Sequence, residues 1–279
     1  MSSSEFSLER PLTTAAQRAV LMKNILDDDV VNLQAPCPEG HLPEITAAEL
    51  ADGYRLAWQL LSREVDIPAT RRLVARIAAR GSATAEEAAR YKDIRARFKK
   101  VRFACANYSE QHTYPERLDY ITRLMGRFQD AFKNGQRRRT LWLGIKLCVR
   151  LRNNFFSRLH DTLLEARLST LDSFQRYIAS ENRQLIDIAG EDAVLTARQF
   201  HDLRKIISRR MALSDTRRAL CPSPEYDAMS LFLATINGLM GRMHDDLVVK
   251  KLQDKLGYEH ELITFPPEIS ARIRALALT

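Results

Sequence analysis

The chain has 279 residues, of which 45% are hydrophobic and 28% charged, and it carries a formal net charge of +8. That length buries a sizeable core in one or two domains, and the composition excludes wholesale disorder. The excess charge is a block: residues 1–65 carry net −5, residues 66–165 net +12 and residues 166–279 net +1. A block of this kind favours an anionic partner, whether nucleic acid, a phosphate polymer or an acidic membrane surface.

The opening MSSSEFSLERP places two Glu and an Arg where the apolar stretch of a signal peptide would stand. The best apolar run, Leu141 to Leu151, is interrupted by Lys146 and Arg150 and is too short to span a bilayer. A soluble, cytoplasmic protein is expected. Cys37, Cys105, Cys148 and Cys221 are scattered, as reduced structural thiols would be. Cys37-Pro-Glu-Gly-His41 has the outline of a metal corner, but no second ligand pair accompanies it, and no metal is expected.

In chain order, residues 28–45, with Pro36, Pro38, Gly40 and Pro43, read as a long loop. Thr46-x-x-Glu49 is a capping box that opens an amphipathic helix running to about Glu64. Pro68 restarts a helix that ends at Gly81. Ser82 or Thr84, followed by Glu86 and Glu87, caps the next, which runs to about Glu110. Thr113-Tyr-Pro-Glu116 opens another that stops at Asn134-Gly135. Helical patterns then cover about 136–166, 170–189, 191–218 and 224–256, and Pro266-Pro267 sets off a terminal helix. Nothing alternates with period two for long enough to be a strand, so the fold class is all-α.

Two segments repeat. Tyr91-Lys-Asp-Ile-Arg95 aligns with Phe200-His-Asp-Leu-Arg204, and Leu124-Met-Gly-Arg-Phe-Gln-Asp130 aligns with Leu239-Met-Gly-Arg-Met-His-Asp245. The offsets are 109 and 115 residues, and the order is the same. The expectation is two related helical bundles facing one another across a pseudo-two-fold axis.

The repeats carry the charge pattern. At 100° per residue, Lys92, Arg95, Lys99 and Arg102 fall within about 80° of one another, opposite Ile94, Phe98, Val101 and Cys105. Like charges stacked on one helix stripe gain nothing from each other, and the one acid nearby in sequence is Asp93. The stripe therefore reads as an anion-binding face. Its second-half counterpart is His201, Arg204, Lys205 and Arg209, spread over about 140°, with Leu203, Ile206, Ile207 and Arg210 turned away. Arg supplies a planar fork and Lys a point charge, a combination suited to successive phosphate oxygens.

His201-x-x-Arg204-Lys205, followed by Arg209 and Arg210, resembles the opening helix of the second half of a CHAD domain, the conserved-histidine α-helical domain. Residues 92–104, KDIRARFKKVRFA, resemble the same pattern, and Leu239–Asp245 resembles the family's later leucine, glycine and acidic signature. The resemblance covers about 85–260. It implies two pseudo-symmetric four-helix bundles, about 85–166 and 170–260, around a basic channel that binds inorganic polyphosphate. Lys92, Arg95, Lys99, Arg102, His201, Arg204, Lys205 and Arg209 would be the contacts, without catalysis, cofactor or metal. Association with polyphosphate granules would follow. Lys92 stands where the first half should carry histidine, and Ser208 and Met211 replace cations in the second half. Residues 1–84 show none of the alternating Glu pattern of the CYTH domain that often precedes this family. They read as an acidic helical N-terminal extension that packs on or gates the basic cavity.

Two rival readings have their own residues. His160-Asp161, His201-Asp202 and His244-Asp245 could belong to a metal-dependent phosphohydrolase of the HD type. Arg204 and Lys205 oppose a dication beside His201, however, and neighbouring helix positions diverge by about 100°. Arg137, Arg138, Arg139, Lys146, Arg150 and Arg152 around Trp142 could bind nucleic acid, without any recognised motif for it. Trp142, Phe155 and Phe156 read as core residues.

Overall fold

The computed structural model describes residues 13–27, 30–38, 44–152, 154–188, 194–253 and 262–278. The chain is all-α, with eleven helices among the described residues: α1 (Ala15–Leu26), α2 (Ala47–Ser62), α3 (Ile67–Arg80), α4 (Ala85–Tyr108), α5 (Glu116–Lys133), α6 (Arg137–Arg150), α7 (Phe155–Leu164), α8 (Leu171–Ile188), α9 (Ala197–Leu220), α10 (Pro224–Gln253) and α11 (Pro267–Ala277). None of these helices is long and apolar enough to cross a membrane.

The helix ends follow the local chemistry. Thr46 and Glu49 exchange the two bonds of a capping box, Glu49 N donating to Thr46 Oγ1 at 3.2 Å and Thr46 N to Glu49 Oε2 at 2.8 Å. Thr84 and Glu87 repeat the device before α4, and Thr196 and Gln199 before α9. Each such cap is worth about 1 kcal/mol. Asp66 caps α3, and Gly81, at φ 75°, closes it in a left-handed conformation that a side chain would strain.

Two expectations are corrected. The continuous helix over 136–166 is divided into α6 and α7: Leu151 closes α6, and Asn154, a residue of low helix propensity, stands before α7. Short strands are also present. β1 (Val194–Thr196) and β2 (Leu262–Thr264) pair antiparallel, with Leu195 opposite Ile263 and both buried. Three residues are too few for alternation to register in a periodicity search.

The chain divides into two compact units, residues 1–18 with 50–169 and residues 19–49 with 170–279. Residues 1–84, read as an extension, are thus shared between the units instead of forming one of their own. In the first unit α3 packs on α6, α6 on α5 and α5 on α4. Tyr91, Phe128 and Phe132 meet edge to face at centroid distances of 5.4–5.6 Å. The buried Tyr91 hydroxyl donates to the Met125 carbonyl at 3.0 Å, so the polar tip of this core ring is satisfied. In the second unit α9 and α10 form the main pair and α11 packs on α8 and α10. Phe200, Leu203, Ile206, Ile207, Phe232 and Met240 are fully buried there, each stabilising by about 1.5–3 kcal/mol relative to exposure.

Candidate anion-binding site

In the first unit α4 sets the phase. Tyr91, Ile94, Phe98, Val101 and Cys105 are buried, as the apolar arc requires, which turns Lys92, Arg95, Lys99 and Arg102 away from the core centre and leaves them half-buried. Arg95 lies flat on α5. A Cβ placed on Gly126 would come within 3.0 Å of Arg95 Nη2. Arg95 Nη1 donates to the amide oxygen of Gln129 at 3.0 Å, while its buried Nε has no hydrogen-bond partner among the described residues. Burial pulls the Arg95 pKa below the usual arginine value, Tyr91 and Asp130 acting against that fall and Arg102 with it. Lys99 Nζ lies 5.6 Å from the Phe103 ring centroid.

Arg102 is differently placed. Its Nη1 is 3.0 Å from Asp119 Oδ1 and 3.3 Å from Thr122 Oγ1, and its guanidinium stacks over Tyr114 at 4.5 Å. Asp119 is a full helix away in sequence, which is why counting acids along α4 missed it. Arg102 thus ties α4 to α5.

The second unit repeats the arrangement with other residues. Arg204 lies against Gly241, where a Cβ would stand 3.5 Å from Arg204 Nη2. The column held by Gln129 is held by His244, and that of Lys92 by His201. The two imidazoles meet edge to face at 5.0 Å. Burial first, then Arg204, pushes the His244 pKa down to about 4, although Asp245 opposes the shift. Ser208 Oγ donates to Asn237 Oδ1 at 3.0 Å and Met211 is buried, so these two departures from the cationic row are absorbed by packing.

Lys205 is exposed and lies 2.7 Å from Asp202 Oδ1. Arg209 and Arg210, read as lying on different faces, share one carboxylate. Arg209 Nη2 is 2.5 Å from Glu181 Oε1, and Arg210 Nε is 2.8 Å from Glu181 Oε2. Glu181 is buried and also accepts from the Tyr177 hydroxyl at 2.7 Å. Two arginines on one carboxylate leave one positive charge, so Arg209 offers less to a ligand than its place in the row implied.

Of the histidines in the metal reading, the side chain of His160 lies outside the described residues, as do Glu39, Gly40 and His41 of the Cys37 corner. The His201–His244 contact carries Arg204 beside it, a charge that opposes a dication. Among the described residues no group of three His, Cys, Asp or Glu is placed to hold a metal. Trp142 is a correction. It is 55% exposed, not a core residue, while the side chains of Phe155 and Phe156 lie outside the described residues.

Gln129, Gly126 and Gly241 were not singled out as site residues, yet the repeat already aligned Gln129 with His244 and the two glycines with each other. Reading those columns against the Arg95/Arg204 columns would have found them. Glu181 left no such signal, since it has no counterpart in the repeat. No protein-family model, curated protein or solved structure matches the chain.

Proposed function

We propose that the chain binds inorganic polyphosphate, electrostatically and without catalysis, through the cation rows of α4 and, more weakly, α9. The observation that carries this reading is Arg95, a buried guanidinium whose hydrogen bond goes to a neutral amide and whose Nε is unused, set between Lys92 and Lys99. Burying a cation costs free energy that an arriving anion returns. Lys92, Arg95 and Lys99 extend over about 10 Å of helix, so a chain of phosphates meets all three where orthophosphate meets one or two. The resemblance of 92–104 and 201–205 to the CHAD pattern supports the same ligand. On this reading the protein would collect where polyphosphate does, in cytoplasmic granules.

The test is a titration with long-chain polyphosphate over a range of salt. Affinity should fall steeply with salt, by analogy with counterion release from duplex DNA, and exceed that for orthophosphate. Lys92→Glu with Lys99→Glu should weaken binding by at least about tenfold. Arg117→Glu with Arg183→Glu, at exposed positions outside the rows, changes net charge equally and should weaken it by under about threefold. Equal losses would leave a generally basic protein with no dedicated site. Tighter binding of single-stranded RNA than of polyphosphate would move the function to nucleic acid.

A further inference from the structure

The apolar face of α6 is the surface this function does not use. Arg137–Arg150 buries Thr140, Leu143, Gly144 and Leu147, and turns Leu141, Trp142, Ile145 and Val149 outward, each 47–56% exposed. Four large apolar side chains on consecutive turns of one helix form a patch, not scattered surface residues. Beside them α3 and α6 meet so closely that a Cβ on Gly144 would collide with that of Ala78. Along this contact runs a groove of about 300 Å³, with Ala75 and Ala79 of α3 on one bank and Ile145 and Val149 of α6 on the other. Arg71 and Arg152 also line it.

The charged residues that line the groove have one sign, although Arg76 and Arg80 of α3 are paired with Glu87 of α4. α3 and α6 together contain nine Arg and Lys and no Asp or Glu. Lys146 Nζ lies 3.5 Å from the centroid of the Trp142 ring, and Arg150 stacks on the half-exposed Tyr120 at 5.2 Å. We infer that this groove of the first unit is a docking site for an acidic amphipathic helix of a partner protein. Its apolar residues would enter between α3 and α6, and its carboxylates would meet Arg71, Lys146, Arg150 and Arg152. An apolar depression between two helices accepts side-chain knobs spaced i, i+4 and i+7. A flat bilayer would leave it unfilled, and a nucleic-acid backbone has no apolar group to place there. A second copy docking through this same face would bring the same cations and be repelled.

The fluorescence of the intact protein tests the inference. Of the two tryptophans, Trp58 is buried and Trp142 exposed, so burial of Trp142 dominates any blue shift, and Trp142→Phe verifies the source. The probe is a synthetic helical peptide with leucines at i, i+4 and i+7 flanked by glutamates. It should shift the emission saturably, Ile145→Glu should weaken that binding at least about tenfold, and Ile145→Leu should preserve it. A peptide with lysines in place of the glutamates should not bind. Equal binding of the two peptides, no shift with the acidic one, or indifference to Ile145→Glu each overturns the proposal. A shift obtained at lower concentration with phosphatidylserine vesicles, with single-stranded RNA, or by concentrating the protein alone assigns the face to a membrane, a nucleic acid or a second copy instead.

Discussion

The α4–α5 pair of the first unit and the α9–α10 pair of the second carry the same local device with different charge. In both, an arginine one turn into the repeat lies on a glycine of the following helix, Arg95 on Gly126 and Arg204 on Gly241. The first unit surrounds its arginine with a lysine and an amide, Lys92 and Gln129. The second uses two histidines in contact, His201 and His244. Further along, Arg209 and Arg210 are held by Glu181, and Ser208, in the column of Lys99, meets Asn237. The scaffold is the repeated element. The charge placed on it is not, and the two pairs should respond differently to acid, to loss of a carboxylate and to added bulk.

The largest difference rests on Glu181. Glu181→Gln keeps the shape but leaves two buried guanidinium groups without their shared countercharge, and burial already pulls the Arg210 pKa down. Removing one partner of a buried ionic cluster costs about 3–5 kcal/mol, and chemical denaturation should register a loss of that order. Asp119→Asn, which takes from Arg102 in the first unit a carboxylate that is 23% exposed where Glu181 is 2%, should cost about 1 kcal/mol or less. Comparable losses would erase the distinction between the buried Glu181 cluster of the second unit and the Asp119–Arg102 pair of the first.

Acid should separate the pairs next. The folded pKa of His244, about 4, lies below its ordinary 6.5. Its contribution to stability is therefore complete above pH 6.5 and is lost as pH falls toward 4, where the unfolded chain binds the proton first. The full shift corresponds to about 3 kcal/mol, and the partial exposure of the ring reduces the expectation to about 1–2 kcal/mol. His244→Gln copies the Gln129 column of the first unit. It should flatten the stability difference between pH 7 and pH 4.5 by that amount, measured as the change in denaturation midpoint against wild type. An unchanged pH dependence would mean that the imidazole is as well solvated folded as unfolded.

Local chemistry was legible in the sequence because it is written in adjacent residues. The Thr46/Glu49 and Thr84/Glu87 caps, the Gly81 stop and the buried arc of α4 all depend on residues within one or two turns. The cation rows were legible for the same reason. What neutralises them was not: Asp119 reaches Arg102 from the next helix, and Glu181 reaches Arg209 and Arg210 from 28 and 29 positions away. Trp142 misled because an indole beside leucines favours burial on average, whereas the side of α6 it occupies is opposite Leu143, Gly144 and Leu147. Periodicity gives the angle between faces of a helix. Only tertiary contact decides which face is covered.

The smallest expected effect tests the repeated device itself. Replacing a mid-helix glycine by alanine gains about 1 kcal/mol from helix propensity, provided the added methyl finds room. At Gly241 it does, since the nearest atom beyond the helix is Arg204 Nη2 at 3.5 Å, an ordinary contact. Gly241→Ala should therefore stabilise the protein by about 0.5–1 kcal/mol. At Gly126 the methyl would meet Arg95 Nη2 at 3.0 Å and Cζ at 3.5 Å, so the guanidinium must move. Moving it lengthens the 3.0 Å bond to Gln129, and the loss of a hydrogen bond to a charged group, about 1.5–3 kcal/mol when complete, outweighs the propensity gain. Gly126→Ala should thus be neutral to about 1 kcal/mol destabilising and should weaken polyphosphate binding as Arg95 is displaced, while Gly241→Ala leaves binding unchanged. Opposite signs in thermal denaturation of the two variants would show that Arg95 is seated tightly and Arg204 loosely. Equal stabilisation by both would mean that neither arginine depends on the glycine beneath it.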